Sequence, residues 1–312
     1  MSKIITITFN PCIDKTTTVA SLIPEKKLRC SDPSFEPGGG GINVSRAIKK
    51  LGGESTAIYP AGGYSGKFLK TLLDRENINS VVVEASSHTR ENLIVVDTSN
   101  NAQYRFGMPG SKLTEKEWQA CISEIDKLTD VEFIVASGSL PPQVPADVFG
   151  QIAQRGKRIK AKVIIDTSGN ALQEALKHGV YLVKPNLNEL YSIAGKQELT
   201  RKEIIYEAKK LISHASCEAL VISLGADGAL LITMDNVMQF KPPGVDKKST
   251  VGAGDSTVAG IVYSLQQGKL LEEAVQFGVS CGTAAIMNAG TELCRRQDVE
   301  TLFPRVTIMH HN

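Results

Sequence analysis

Short apolar runs rich in β-branched residues alternate with helical stretches along most of this 312-residue chain. Residues 4–9, 57–59, 133–136, 163–166, 181–183 and 220–223 are such runs, and several end at polar or glycine turns. Helical patterns lie between them, for example 42–51 and 67–76. Strands that are apolar on both sides and spaced by helices predict a mostly parallel sheet covered on both faces. In such sheets ligands bind beyond the carboxyl ends of the strands. Asn10 to Asp14, Ser137 to Ser139, Asp166, Lys184 to Glu189 and Leu224 to Gly228 fall at those ends.

Two segments, 16–35 and 88–106, break the rhythm. Both are strand-like with polar residues at alternate positions, as in Asn92-Leu93-Ile94-Val95-Val96-Asp97 and Tyr104-Arg105-Phe106. They predict either an edge extension of the main sheet or, better, a projecting β lid. The expected division is a major body of 1–15, 36–87 and 107–312 and a lid of 16–35 and 88–106. A sheet this small needs cover for its apolar face, and Leu93, Val95 and Phe106 are the candidates to be covered by a second subunit.

Composition excludes several classes. Net charge is +2 and the basic residues are spread, so no block suggests nucleic acid. No apolar run approaches membrane-spanning length and the N-terminus carries no signal-peptide core, which predicts a soluble cytoplasmic protein. The six cysteines lack metal or disulfide spacing and read as buried thiols. His310 and His311 read as a solvated tail.

Gly252-Ala253-Gly254-Asp255 precedes the apolar run 258–265. Glycines before a helix bring backbone N–H groups close to an anion at the positive end of the helix. A carboxylate there repels the anion, and proton abstraction from an attacking hydroxyl is the function that explains it. The alternative is an ordinary capping aspartate. Neither the P-loop nor the dinucleotide glycine pattern fits the chain.

Other constellations each have two readings. Gly38-Gly39-Gly40-Gly41 before Asn43 reads as close approach to a ligand or as a hinge, with Asn43 on sugar hydroxyls or as a cap. Asp14 reads as an acceptor for two vicinal hydroxyls or as a turn aspartate. Asn186 and Glu189, three apart, read as a hydrated Mg²⁺ site or as helix capping. Ser223 to Gly228 reads as a hairpin turn or a nucleotide-phosphate contact. Arg90 reads as a bidentate phosphate ligand or a surface arginine.

In this order and over nearly the whole chain, these segments resemble the ribokinase-like sugar kinases, also called the phosphofructokinase-B family. The resemblance implies a three-layer α/β/α sandwich with a small β-sheet lid. It implies Asp255 as base and Gly252, Ala253 and Gly254 as the anion hole. Lys184, Asn186, Ser223, Gly225 and Gly228 would contact ATP, with Glu189 organising Mg²⁺. Asp14, Gly38, Gly39, Gly40, Gly41, Asn43, Arg90 and Ser139 would bind the sugar phosphate, and Lys27 would lie near a regulatory nucleotide. Ser249, Val251, Ala285, Asn288, Gly290 and Glu292 match positions whose carbonyls hold a monovalent cation such as K⁺, although Glu292 stands where arginine is expected. Phe35-Glu36-Pro37-Gly38, Tyr104-Arg105-Phe106 and Ser137-Gly138-Ser139-Leu140-Pro141 favour fructose 6-phosphate phosphorylated at O1 by MgATP. Gly40, where relatives acting on fructose 1-phosphate or tagatose 6-phosphate usually carry lysine, favours the same; Asn10-Pro11 is closer to those relatives. A binding protein without turnover is the alternative of a different class, and a homodimer is the expected assembly.

Overall fold

The computed structural model describes residues 3–214, 216–288 and 290–311. The chain opens with β1 (Ile4–Ile7), β2 (Cys12–Val19), β3 (Ser34–Gly38) and α1 (Gly40–Lys50). β4 (Thr56–Ala61), α2 (Gly63–Arg75), β5 (Asn79–Glu84), β6 (Arg90–Asp97) and β7 (Ala102–Phe106) follow. Then come α3 (Glu115–Ser123), β8 (Phe133–Ser137), α4 (Val148–Ile159), β9 (Lys162–Asp166), α5 (Gly169–Leu176) and β10 (Val180–Val183). α6 (Leu187–Ala194), α7 (Arg201–Ser213), β11 (Cys217–Ser223), β12 (Ala229–Ile232) and β13 (Val237–Lys241) continue the chain. It closes with α8 (Ala253–Gln266), α9 (Leu271–Ile286), α10 (Arg296–Leu302) and β14 (Thr307–His310).

Ten strands form one sheet in the order β14-β13-β12-β11-β10-β9-β8-β1-β4-β5. From β11 to β5 every pairing is parallel, whereas β12, β13 and β14 add an antiparallel edge. Side-chain alternation divides the core. Val163 and Ile165 pack with Phe149, Ile152 and Leu172 on one face. Ile164, between them, packs with Val258, Ile261 and Val275 on the other. Both faces being dry is why these strands read as unbroken apolar runs. Strand order reverses at β1 and β8, and their carboxyl ends meet there: Asn10 Nδ2 donates to Ser139 Oγ across 3.0 Å.

The interrupting segments form a second sheet in the order β3-β2-β6-β7. β2 is antiparallel to β3 and parallel to β6. β2 begins at Cys12 and β3 ends at Gly38, so this sheet extends past the expected 16–35 bounds on both sides. Tyr104 and Phe106 remain 38% and 44% exposed on this lid.

The helix expected from 42 starts at Gly40. A Cβ on Gly40 would lie 2.4 Å from Ser137 Oγ and 2.7 Å from Gly138 N, so glycine lets the helix start seat on the end of β8. Two expectations are corrected. Cys30 is exposed, while the other five free thiols are buried. The 310–311 tail is docked on the sheet: His310 ends β14, and His311 donates its N–H to Val237 O and contacts Arg201 through Nε2 at 3.1 Å. Among the described residues no helix is long and apolar enough to cross a membrane.

Candidate active site

Gly252 immediately precedes α8 as its N-cap; its φ of 73° is left-handed, and a Cβ there would lie 2.6 Å from Leu293 Cδ2. Ala253, Gly254 and Asp255 form the first turn of α8, where backbone N–H groups lack helical partners. Asp255 accepts a 2.9 Å hydrogen bond from Asn43 Nδ2. Asn43 is held by α1, and its Oδ1 is buried without a protein partner. A buried acceptor beside a carboxylate is what a hydroxyl substrate needs, because one hydroxyl both donates and accepts.

Lys184, just past β10, lies 3.2 Å from Asp166 Oδ1, just inside the end of β9; their side chains are 8% and 17% exposed. A Cβ on Gly254 would come within 3.4 Å of Lys184 Nζ, so the ammonium rests against the helix start. Burial works against the Lys184 charge, but Asp166, then Asp255 and Glu189, outweigh it and raise its pKa. Asp255 moves the other way from an ordinary aspartate. Burial and then the Asp166 charge push it up to about 6, against the lowering pull of Asn43 and Lys184.

The lid supplies a row of polar side chains. Strand register places Glu36, Asp14 and Asn92 side by side on β3, β2 and β6. Asn92 Nδ2 donates to Asp14 Oδ1 at 2.8 Å. A Cβ on Gly38 would fall 2.5 Å from Asp14 Oδ2. Arg90, two residues before Asn92, donates to Met108 O at 3.0 Å and to Asn10 O at 3.1 Å, and its Nε is buried without a partner. Arg90 thus joins Asn10 and Ser139 at the strand switch.

On the opposite flank, Asn186 caps α6. Its Oδ1 accepts from Glu189 N at 2.9 Å, and Glu189 Oε2 accepts from Asn186 N at 2.8 Å. The capping alternative for this pair is therefore realised. Ser223 pairs with Asn186 through an isolated parallel bridge, with Ser223 N donating to Pro185 O at 2.9 Å. The following turn, with Gly225 and Gly228 at φ of 63° and 84°, closes an antiparallel β11–β12 hairpin. At Gly228 a Cβ would fall 1.9 Å from Phe240 O.

Beneath α8, Ser249 Oγ donates to Gly290 O at 2.7 Å and accepts from Val251 N at 3.2 Å. Asn288 Nδ2 donates to Ala284 O at 3.3 Å and Leu293 O at 3.1 Å, and Asn288 N donates to Ala285 O at 3.1 Å. Glu292 turns its carboxylate to Arg295, 2.7 Å away. Residue 289 of this loop lies outside the described residues. Lys27 lies exposed on the loop between β2 and β3, which belongs to the lid.

The structure joins Asp255 to Asn43, sets Lys184 beside Gly254 at the same helix start, and joins Asp14 to Asn92 and Ser139 to Asn10. The sequence places Asn10 and Asp166 at the ligand-binding strand ends without a role, and assigns none to Asn92. Asp166 stood at the end of an apolar run, the position where such sheets bind ligands. Asn92 stood two residues from Arg90, a spacing that puts both on one face of a strand.

The pfkB family carbohydrate kinase profile matches residues 7–298. ATP-dependent 6-phosphofructokinase isozyme 2 of Escherichia coli (strain K12) is 41% identical over 97% of this chain and 98% of that protein. The 1-phosphofructokinase of Borreliella burgdorferi is 32% identical over 98% of this chain and 98% of that protein. The crystal structure of phosphofructokinase-2 from Escherichia coli in complex with potassium superposes with a TM-score of 0.93, at 41% identity, over 98% of this chain and 99% of that one.

Proposed function

Because this chain belongs to the pfkB family of carbohydrate kinases, we propose that it transfers the γ-phosphoryl group of ATP to O1 of fructose 6-phosphate, forming fructose 1,6-bisphosphate in the cytoplasm. The observation that carries the chemistry is Asp255, fixed by Asn43 at the start of α8 with Lys184 beside it. The greater identity to a 6-phosphofructokinase than to a 1-phosphofructokinase, 41% against 32%, supports the substrate.

Asp14 and Asn92 bind hydroxyls of the sugar from the lid side. Arg90, Asn10 and Ser139 receive its 6-phosphate; the Arg90 guanidinium uses two of its five N–H donors on Met108 O and Asn10 O, and its partnerless Nε is among those left for phosphate. Asn43 Oδ1 accepts from a sugar hydroxyl and aligns O1 with Asp255. As O1 attacks the γ-phosphorus in line, the bond to the β,γ-bridging oxygen breaks, ADP leaves, and Asp255 takes the O1 proton. The N–H groups of Ala253 and Gly254 and the Lys184 ammonium hold the charge on the transferring oxygens. With its pKa near 6 rather than 3.8, Asp255 is a stronger base than an ordinary aspartate yet still ionised at neutral pH. Gly225, Gly228, Ser223 and Asn186 line the ATP flank.

Among the described residues no three His, Cys, Asp or Glu side chains are grouped to cage a metal ion. That suits Mg²⁺, which keeps most of its water and is carried by phosphate oxygens with one or two carboxylates. Asp166 and Glu189 would hold that water, and Mg²⁺ would neutralise the nucleotide phosphates. The loop under α8 suits a monovalent cation. Its buried side chains, Ser249 and Asn288, brace the backbone, and each carbonyl that accepts one hydrogen bond keeps a second lone pair. The lid closes the sugar site and pairs with a second subunit through Tyr104 and Phe106.

Coupled assays with MgATP and fructose 6-phosphate, tagatose 6-phosphate or fructose 1-phosphate test the reading. Fructose 6-phosphate is expected to give the highest kcat/KM; a preference for either other sugar overturns the substrate assignment.

A further inference from the structure

Thr291 sits in the loop beneath α8 and is 3% exposed. Its hydroxyl hydrogen-bonds to Glu36 Oε2 on the lid strand β3, 255 residues away in sequence. Glu36 also lies 3.5 Å from the Arg46 guanidinium of α1, whose side chain is 3% exposed. Arg46 is held by Glu76 at the end of α2, through bonds of 2.7 to 3.0 Å, and by Pro37 O at 2.9 Å. The carboxylate of Glu36 therefore meets three parts of the molecule at once: its own lid strand, the helix that carries Asn43, and the carbonyl loop.

These contacts close into a circuit. Glu36 is the cross-strand neighbour of Asp14, which is bonded to Asn92. Thr291 follows Gly290, whose carbonyl accepts from Ser249, and Ser249 accepts from Val251 N next to Gly252. Gly252 is the N-cap of the helix of Asp255, Asp255 is bonded to Asn43, and Asn43 lies three residues from Arg46 on α1. The circuit passes through both the sugar-binding row and the carbonyl loop, and the Glu36–Thr291 bond is the direct side-chain contact between those two.

We propose that Glu36 is a positioning residue that couples the two: through Thr291 it makes monovalent-cation binding in the carbonyl loop and sugar-phosphate binding at the lid reinforce each other. This rests on the kinase reading above. A cation that fixes the loop fixes Thr291, which fixes Glu36 and, across one strand pairing, Asp14. A charge-assisted hydrogen bond carries the connection, and coupling between sites is reciprocal by thermodynamic necessity.

The test is binding without turnover. Titration calorimetry measures the Kd of fructose 6-phosphate in potassium chloride and in tetramethylammonium chloride at equal ionic strength. Wild type is expected to bind at least about fivefold tighter in potassium. Thr291→Val keeps the shape and removes the donor, and is expected to bring that ratio to within about twofold of unity. Thr291→Ser restores the hydroxyl and the ratio, which a merely structural role would not predict. A wild-type ratio near unity, or an unchanged ratio in Thr291→Val, overturns the coupling while leaving the kinase reading intact. A wild type that fails to bind fructose 6-phosphate in either salt overturns the substrate reading, and the coupling with it.

Discussion

Asn43 donates from Nδ2 to Oδ2 of Asp255 across 2.9 Å and 212 residues of sequence. The bond occupies Oδ2 of the carboxylate. It also makes the placement of Asp255 depend on α1, the helix that carries Asn43.

Asp255→Asn is expected to lower kcat by at least ~10²–10⁴-fold, the range for a positioned general base. Calorimetry should still find fructose 6-phosphate and ATP bound, since the amide keeps an acceptor for Asn43. A variant within tenfold of wild-type kcat would remove Asp255 from the reaction.

The pH profile should follow the same group. With Asp255 raised to about 6, kcat is expected to fall below that pH as the base is protonated. Lys184 lowers this pKa, so Lys184→Met should move the acidic inflection to higher pH as well as weakening ATP binding. An inflection that stays in place in Lys184→Met, measured from kcat at saturating substrate, would assign it to another group.

Stability provides a separate readout. The folded pKa of Asp255 lies above the ordinary aspartate value of 3.8, so folding disfavours the ionised form. The cost is absent below about pH 4, grows as pH rises toward 6, and is complete above that. Ligand-free Asp255→Asn should therefore be more stable than wild type by about 1–3 kcal/mol at pH 8 and indistinguishable from it near pH 4. Denaturant melts at the two pH values check the difference, and equal stability at pH 8 would refute it.

Arg90→Ala is expected to raise KM for fructose 6-phosphate by roughly 10- to 100-fold, equivalent to about 1.5–3 kcal/mol for a charge-assisted hydrogen bond. KM for ATP should change little. Steady-state kinetics with each substrate varied separates the two, and parallel increases would mark Arg90 as a lid-closure residue.

Much of this arrangement was legible in the chain. Apolar runs buried on both faces gave the parallel sheet, and Gly252 to Asp255 gave the helix start with its carboxylate. The antiparallel edge was less legible: β14 follows a short helix, and its residues 307–310 show no apolar alternation strong enough to mark a strand. Nor could Asp14 be joined to Asn92 from spacing alone. That contact depends on a parallel register between segments 78 residues apart, and no local pattern encodes it. Glu189 shows the opposite limit. Its local pattern was readable, but capping and metal organisation use the same spacing, and the observed cap leaves the metal role to chemistry.

The parallel pairing of β2 with β6 has a consequence for the order of folding. β2 emerges early in synthesis, but its parallel partner β6 follows only after β3, α1, β4, α2 and β5. A parallel pair cannot be closed by a tight turn, so the intervening segment must collapse before the strands can meet. The sugar-facing surface is therefore assembled only on a formed core. A chain whose core is misassembled will lack the juxtaposition of Asp14 and Asn92, so recovery of sugar binding during refolding should lag behind core formation.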